Sequence, residues 1–154
     1  MSSSLSKLFA LTSSDRNVAL GATTLFLFVR LSLNLVGLNR SLRLLDRLSP
    51  LRPSPTDTDP THRMSESERI SALVNTVARR MFHGRAADLC LPKSLVTRMI
   101  LRRRGLDGKL RIGVKPGEGT LRAHAWVEVG GVALSKSDRQ GEFVLFTSTS
   151  FEDV

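Results

Sequence analysis

The sequence predicts an α+β fold in which N-terminal helices pack on a small antiparallel sheet. Three observations support this class: a long apolar segment near the N-terminus, an amphipathic segment at helical spacing in the middle, and strict alternation over residues 109–115 and 123–129. The chain has 154 residues, 41% of them hydrophobic, and is therefore long enough to bury a core within one domain.

Residues 18–38 form the apolar segment, and helix-starting residues precede it at positions 12–15. The segment is long enough to cross a bilayer, but Arg30 near its middle would cost about 2.5–3.5 kcal/mol to insert. Polar residues also recur at helical spacing and are predicted to form one stripe: Arg16, Thr23, Arg30, Asn34 and Ser41. The sequence therefore favours a helix packed within the domain over a membrane-spanning helix.

Residues 40–48 continue as a basic amphipathic segment of arginines and leucines. We interpret this segment as a solvated helical face, with docking to a partner or to anionic lipid as the alternative. Four prolines follow within residues 49–60, where neither a helix nor a central strand can be sustained. The predicted organisation is a helical segment over residues 1–48, a proline-rich linker over residues 49–64 and a core over residues 65–154, all within one compact domain.

The next predicted helix begins at a capping box formed by Ser65 and Glu68 and ends at Gly84. His83, at that end, is interpreted as a cation that caps the helix C-terminus. Five apolar residues fall on one face of this helix and are predicted to be buried: Ile70, Leu73, Val74, Val77 and Met81.

The only cysteine, Cys90, precedes a further predicted helix that runs from Pro92 to about Arg104 and is stopped by Gly105. Because Pro92 disfavours helical backbone angles at Leu91, Cys90 is expected just outside this helix. Even so, a nearby helix N-terminus favours thiolate over thiol. The predicted buried face consists of Leu95, Val96, Met99 and Ile100, and the residues predicted to face water or a partner are Arg98, Arg102, Arg103 and Arg104.

The last part of the chain reads as antiparallel strands. Residues 109–115 and 123–129 alternate strictly between apolar and polar side chains, and Gly130-Gly131 predicts a tight turn into residues 132–134. Residues 143–146 are expected to add a last strand. On the second strand the alternation puts His124, Trp126 and Glu128 on one face. A histidine held on a rigid strand is well placed to act as a base.

Several short motifs in this region occur in a characteristic order: Cys90-Leu91, Ser94-Leu95, residues 102–105, residues 112–114, and residues 123–128 with Gly131. Together they resemble the cysteine-protease component of lasso-peptide biosynthesis, the leader peptidase. That family is a relative of the transglutaminase-like branch of the papain-type fold. The resemblance covers roughly residues 85–135, and it implies a papain/transglutaminase-like α+β fold.

The resemblance also implies the chemistry of the site. It makes Cys90 the nucleophile, whereas a lone cysteine taken by itself would be interpreted as a small buried hydrophobe. His124 would act as base and then as acid, with a third polar group to orient its imidazole. The family places an acidic residue where this chain has Ser135-Lys136. Asp138 is therefore the predicted third residue, with Ser135 or a backbone carbonyl as alternatives.

Glu128 and Trp126 share the strand face with His124. We interpret Glu128 as a structural partner of the motif strand. Trp126 is interpreted as a core residue that could also shield the ion pair of cysteine and histidine from water.

The implied substrate is a ribosomally made precursor peptide that is cut once between leader and core. The implied partners are a small leader-recognition protein and an ATP-dependent lasso cyclase. Two alternatives remain open, a catalytically degenerate scaffold of the same fold that binds peptide or membrane, and acyl transfer to an amine instead of water.

Composition limits the cofactors and partners. The chain carries 23 Lys and Arg against 14 Asp and Glu, a net charge of +9. Such a surface attracts acidic peptide, nucleic acid or anionic lipid. No aromatic residues are interleaved with the arginines, so nucleic acid is not an expected partner. Because the chain has a single cysteine, no internal disulfide is expected. The three histidines lack the spacing of metal ligands, so no zinc site is expected. We expect a cytoplasmic protein without cofactors, with membrane-surface contact left open.

Overall fold

The computed structural model describes residues 13–51, 59–82, 89–117, 120–134 and 143–145. These ranges contain four helices followed by four strands, so the fold is α+β as predicted. The helices are α1 (Ser13–Val36), α2 (Leu38–Leu48), α3 (Pro60–Met81) and α4 (Cys90–Arg103). The strands are β1 (Lys109–Pro116), β2 (Leu121–Val129), β3 (Val132–Ala133) and β4 (Val144–Leu145).

The long helix α1 packs through one face against α3 and α4. Val18, Ala22, Phe26 and Val29 on that face are buried in the hydrophobic core. By length and composition alone, Asp15–Val36 could also cross a membrane, but the core helix of a soluble protein passes the same test. The packing therefore agrees with the helix within the domain that the sequence favoured.

The chain turns sharply between α1 and α2. Gly37 connects the two helices with a φ of 78°, a left-handed conformation that glycine adopts without steric cost. Across this turn, the Ser32 hydroxyl donates to the Ser41 hydroxyl at 2.8 Å, and both side chains are buried. The prediction of one polar stripe that includes Ser41 is therefore wrong, because the turn at Gly37 points Ser41 back at α1.

The helix α3 begins earlier than the capping box predicted. Asp59 is its N-cap and accepts a hydrogen bond from the Thr61 N–H at 3.0 Å, while Pro60 occupies the first turn. Aspartate at the N-cap followed by proline is a favoured helix start, since proline lacks only an N–H that has no partner there. Residues 60–64, assigned to the linker from the sequence, are thus helical, and the start predicted at Ser65 is wrong. Residues 52–58 lie outside the described ranges.

The apolar face predicted for α3 is confirmed. Ile70 and Val74 are buried, and Leu73, Val77 and Met81 pack against the core in partly buried positions. The helix ends at Met81, close to the predicted end. His83 and Gly84 lie outside the described residues.

The helix α4 lies between the other helices and the sheet, and it contacts α1, α3, β1 and β2. Its predicted apolar face is confirmed, since Leu95, Val96, Met99 and Ile100 are all buried. Its C-terminus also ends as predicted at Gly105, whose φ is 76°. There the N–H groups of Gly105 and Leu106 donate to the carbonyls of Arg102 and Leu101, the pattern of a Schellman cap.

The prediction that Arg98 faces water or a partner is wrong. Its side chain is buried, pairs with Asp46 of α2 and donates to the Gly108 carbonyl at 3.3 Å. The reason is that α4 is covered on several sides, so that a polar position on it still meets protein. Arg102 and Arg104 likewise bond to Ser49 and Glu66.

The four strands form an antiparallel sheet in the order β3-β2-β1-β4. The predicted pairing of the first two strands is confirmed, with Gly113 opposite His124. The predicted turn is also confirmed. Gly130 and Gly131 have φ values of 59° and 82°, as a two-residue hairpin of type I′ requires. The expected last strand is present as β4, beside β1.

Candidate active site

Cys90 is the first residue of α4, half-buried at the N-terminus of the helix. The prediction that it lies outside the helix is therefore wrong. Pro92 is tolerated in the first turn because the N–H groups there have no partner within the helix. Leu89, the N-cap, provides no side-chain hydrogen bond to this turn. The sulfur thus sits where the partial positive charge of the helix is greatest.

The edge of β2 is shared between a short strand and the start of α4. β3 pairs only with Glu128 and Val129, and Leu134 then donates to the Val127 carbonyl at 3.0 Å. Next along this edge, the Ser94 hydroxyl of α4 donates to the Ala125 carbonyl at 2.9 Å. The helix N-terminus therefore bonds to β2 where β3 ends, and this junction fixes Cys90 relative to the sheet.

Cys90 and His124 meet at this junction. A hydrogen bond from the His124 side chain is the largest influence on the thiol, and it lowers the pKa of Cys90 below its ordinary value of 9.0. Partial burial opposes this by disfavouring the charged sulfur. Hydrogen bonds from the backbone of Ala125 and Leu91, and the charge of His124, lower the pKa further. The site is thus arranged to favour a thiolate.

The His124 ring belongs to an aromatic cluster on one face of the sheet. It stacks on Trp126 with centroids 6.1 Å apart and an interplanar angle of 18°, and it lies 5.4 Å from the ring of Phe143. Trp126 is only 3% exposed. The two rings restrict the positions that the imidazole can adopt, and Trp126 is buried as predicted.

A polar network holds the tryptophan in turn. The Trp126 indole N–H donates to Glu128 at 3.0 Å, and the other oxygen of Glu128 pairs with Arg111 of β1 at 2.9 Å. Glu128 therefore acts on the site through Trp126, in agreement with its interpretation as a structural partner of the strand.

Gly113 makes room for this cluster from the neighbouring strand. A Cβ atom at Gly113 would lie 2.9 Å from the Phe143 Cβ and 3.0 Å from the Trp126 Cη2. Real Cβ atoms essentially never come as close as the contact with Phe143, and the contact with Trp126 is tighter than nine in ten real Cβ contacts. The glycine of the 112–114 motif is therefore required by the packing of the two rings that flank His124.

A cavity of about 50 Å³ opens beside the sulfur and the imidazole. Its volume admits only a few atoms, so a peptide would have to lie across it with little more than the reacting group inside. Ser71 and Asn75, one turn apart on α3, also line this cavity, as does Lys93. They could not be recognised from the sequence, because polar residues beside a buried helical face follow the same pattern whether they meet solvent or a cavity. The Asn75 amide is chemically able to donate to an oxyanion.

Asp138, the predicted orienting acid, and its alternative Ser135 lie outside the described residues, so their roles stay predictions. Within the described ranges, no group of three or more His, Cys, Asp or Glu residues is arranged to hold a metal ion.

The fold and the site define an α+β protein with a cysteine and a histidine in contact at a helix-to-sheet junction. The model of the transglutaminase-like superfamily matches residues 29–147, more than half of the chain. The protein therefore belongs to the transglutaminase-like superfamily, which includes cysteine peptidases. Comparison with curated proteins and with solved structures gave no significant match.

Proposed function

We propose that this protein is a cysteine peptidase that removes the leader from a ribosomally made lasso-peptide precursor. The observation that carries the proposal is the hydrogen bond between Cys90 and His124 beside an open cavity in a transglutaminase-like fold. Membership of the superfamily supports catalysis by a cysteine. The resemblance of residues 85–135 to the leader peptidases points to a precursor peptide with a leader as the substrate. By the same resemblance, the enzyme acts with a separate leader-recognition protein.

In the proposed reaction His124 takes the thiol proton of Cys90, and the thiolate attacks the peptide carbonyl at the end of the leader. The resulting oxyanion accepts hydrogen bonds from the backbone N–H of Cys90 and from Asn75. As the C–N bond breaks, His124 gives its proton to the departing amine of the core peptide. Water, deprotonated by His124, then hydrolyses the leader thioester and restores the thiol.

The product of this cleavage indicates which enzyme would act next. Cleavage leaves the core peptide with a free α-amine, through which an ATP-dependent cyclase can cyclise it. We therefore propose that the lasso cyclase consumes the product of this enzyme.

The direct test is to combine the purified protein with a lasso-peptide precursor and its leader-recognition protein, and to follow peptide masses. We expect a single cleavage between leader and core. Cys90→Ala and His124→Ala should each abolish it, whereas His62→Ala, an exposed histidine on α3, should not. Cleavage that persists in Cys90→Ala would refute the nucleophile.

The orienting acid has its own test. Asp138→Asn should lower kcat with little change in KM, because the proposed carboxylate positions the base without binding substrate. Ser135→Ala is the matched variant for the alternative. If kcat fell in Ser135→Ala and not in Asp138→Asn, the Ser135 hydroxyl would be the group that orients His124.

Acyl transfer is the second candidate, and membership of the transglutaminase-like superfamily is the observation that favours it. The same thioester would then be attacked by an amine in place of water. Product masses separate the two reactions, since only hydrolysis adds water. A degenerate scaffold predicts that Cys90 is no more reactive than an ordinary thiol.

A further inference from the structure

We propose that the exposed faces of α1 and α2 bind the surface of an anionic membrane. This inference rests on the solvent-facing side of the two helices and is independent of the proposed peptidase activity.

The first observation is a row of exposed leucines on the side of α1 that faces away from the core, interrupted only by Thr24 between the first two. We call it the leucine stripe: Leu20, Leu27, Leu31 and Leu35, which are 69%, 60%, 57% and 72% exposed. Their spacing of seven, four and four residues places them on one helical face. Single exposed leucines are ordinary, but a row of them along one helix marks a surface that binds something apolar.

The second observation is the charge beside this stripe. Arg30 and Asn34 follow Leu27 and Leu31 by three residues each and so lie along one edge of the stripe. Three exposed arginines of α2, Arg40, Arg43 and Arg47, share a face by the same periodicity. Only Gly37 separates the two helices, so these arginines follow the C-terminal end of the stripe closely along the chain.

The acidic residues of the two helices do not offset this charge. Asp15 pairs with Arg69 of α3 at 2.9 Å, and Asp46 pairs with Arg98 of α4. Both carboxylates are thus paired with arginines of the core helices. The exposed arginines of α1 and α2 therefore give the two helices an excess of exposed positive charge.

Anionic lipid is the occupant that fits both features at once. Leucines can enter the boundary between headgroups and acyl chains, while arginine side chains extend from its edge to lipid phosphates. Nucleic acid would satisfy the arginines but would leave the leucines in water. A spanning helix is disfavoured, since it would withdraw Phe26 and Val29 from the core. Surface binding leaves the fold intact.

The test is sedimentation of the full-length protein with vesicles of phosphatidylcholine alone and with added phosphatidylglycerol. We expect binding to the anionic vesicles that weakens as salt is raised. Leu27→Ser/Leu31→Ser and Arg43→Gln/Arg47→Gln should each lower the partition coefficient about tenfold or more. Circular dichroism should show that both variants remain folded.

Matched controls use exposed residues elsewhere in the fold. Leu121→Ser on β2 and Arg79→Gln/Arg80→Gln at the end of α3 should leave vesicle binding unchanged. The proposal would be overturned if the parent protein did not bind the anionic vesicles, or if the control variants lost as much binding as the test variants. So would a dimer in ultracentrifugation that only Leu27→Ser/Leu31→Ser dissociates, without vesicle binding, because the stripe would then join two copies of the chain. Binding that withstands high salt and melts the helical core would instead indicate insertion and would equally overturn it.

Discussion

The reactivity of the site depends on one thiol. Its lowered pKa comes first from the hydrogen bond with His124, whereas burial alone would raise it. The His124 side chain therefore has the largest single influence on the fraction of thiolate, and this pairing can be measured without any knowledge of the substrate.

Alkylation by iodoacetamide should accordingly titrate with a midpoint below that of an ordinary free thiol. Because a lowered pKa means that thiolate persists to lower pH, the alkylation rate should begin to fall at a lower pH than it does for an ordinary thiol. His124→Ala removes the largest lowering influence and leaves burial, so the midpoint should rise. His62→Ala is the control and should leave it in place. An unchanged midpoint in His124→Ala would show that the imidazole does not act on the sulfur.

At this scale the sequence predicted the central pair but not its surroundings. Cys90 and His124 could be found because a motif and a strand periodicity mark them. Asn75 could not, because whether a polar residue faces a cavity or solvent depends on which elements pack around it. Arg98 was mispredicted for the same reason, since burial is a property of the assembled helices.

Among the helices and strands, α4 makes the contacts that fix the position of Cys90. Ser94 ties it to β2, and Arg98 ties it to α2 and to the Gly108 carbonyl. Replacing one member of a partly buried ion pair destabilises the fold strongly, because the remaining charge loses its partner. Here the backbone carbonyl that accepts from Arg98 loses its donor as well.

Arg98→Met should therefore lower the free energy of unfolding by about 3 kcal/mol. Arg103→Met changes the same residue type at an exposed position of the same helix and should cost less than about 0.5 kcal/mol. Urea denaturation of the two variants and the parent protein provides the comparison. Equal losses would mean that the pair of Arg98 and Asp46 contributes nothing beyond an ordinary surface charge.

Strands and helices were predictable where periodicity or turn chemistry is strong. Gly130-Gly131 and Gly105 marked their turns correctly, because few residues other than glycine adopt positive φ. The break at Gly37 was missed, since a single glycine within an apolar helical pattern is also tolerated inside a helix. At the start of α3, two capping signals competed, and Asp59-Pro60 is used where Ser65 was predicted.

For the whole molecule, α1 is the element whose role could be misjudged from composition. The superfamily match begins at residue 29, within this helix, yet core residues lie along it from Val18 onward. The helix is therefore part of the domain core and not an appendage to it.

Removal of all residues before Leu38 should prevent cooperative folding. It deletes several buried side chains, each contributing about 1.5–3 kcal/mol, from a domain whose total stability is expected to be about 5–15 kcal/mol. Circular dichroism with thermal unfolding tests this. Leu27→Ser/Leu31→Ser alters only the exposed face of the same helix and should keep a cooperative transition. A truncated protein that still unfolds cooperatively would show that α1 is dispensable for the core.

The chain contains one tryptophan and no tyrosine. Since Trp126 is stacked on His124, the intrinsic ultraviolet emission of the protein originates almost entirely within the candidate active site. Fluorescence can therefore follow the arrival of a peptide or an inhibitor at this site with no label attached, in the unmodified protein and in real time.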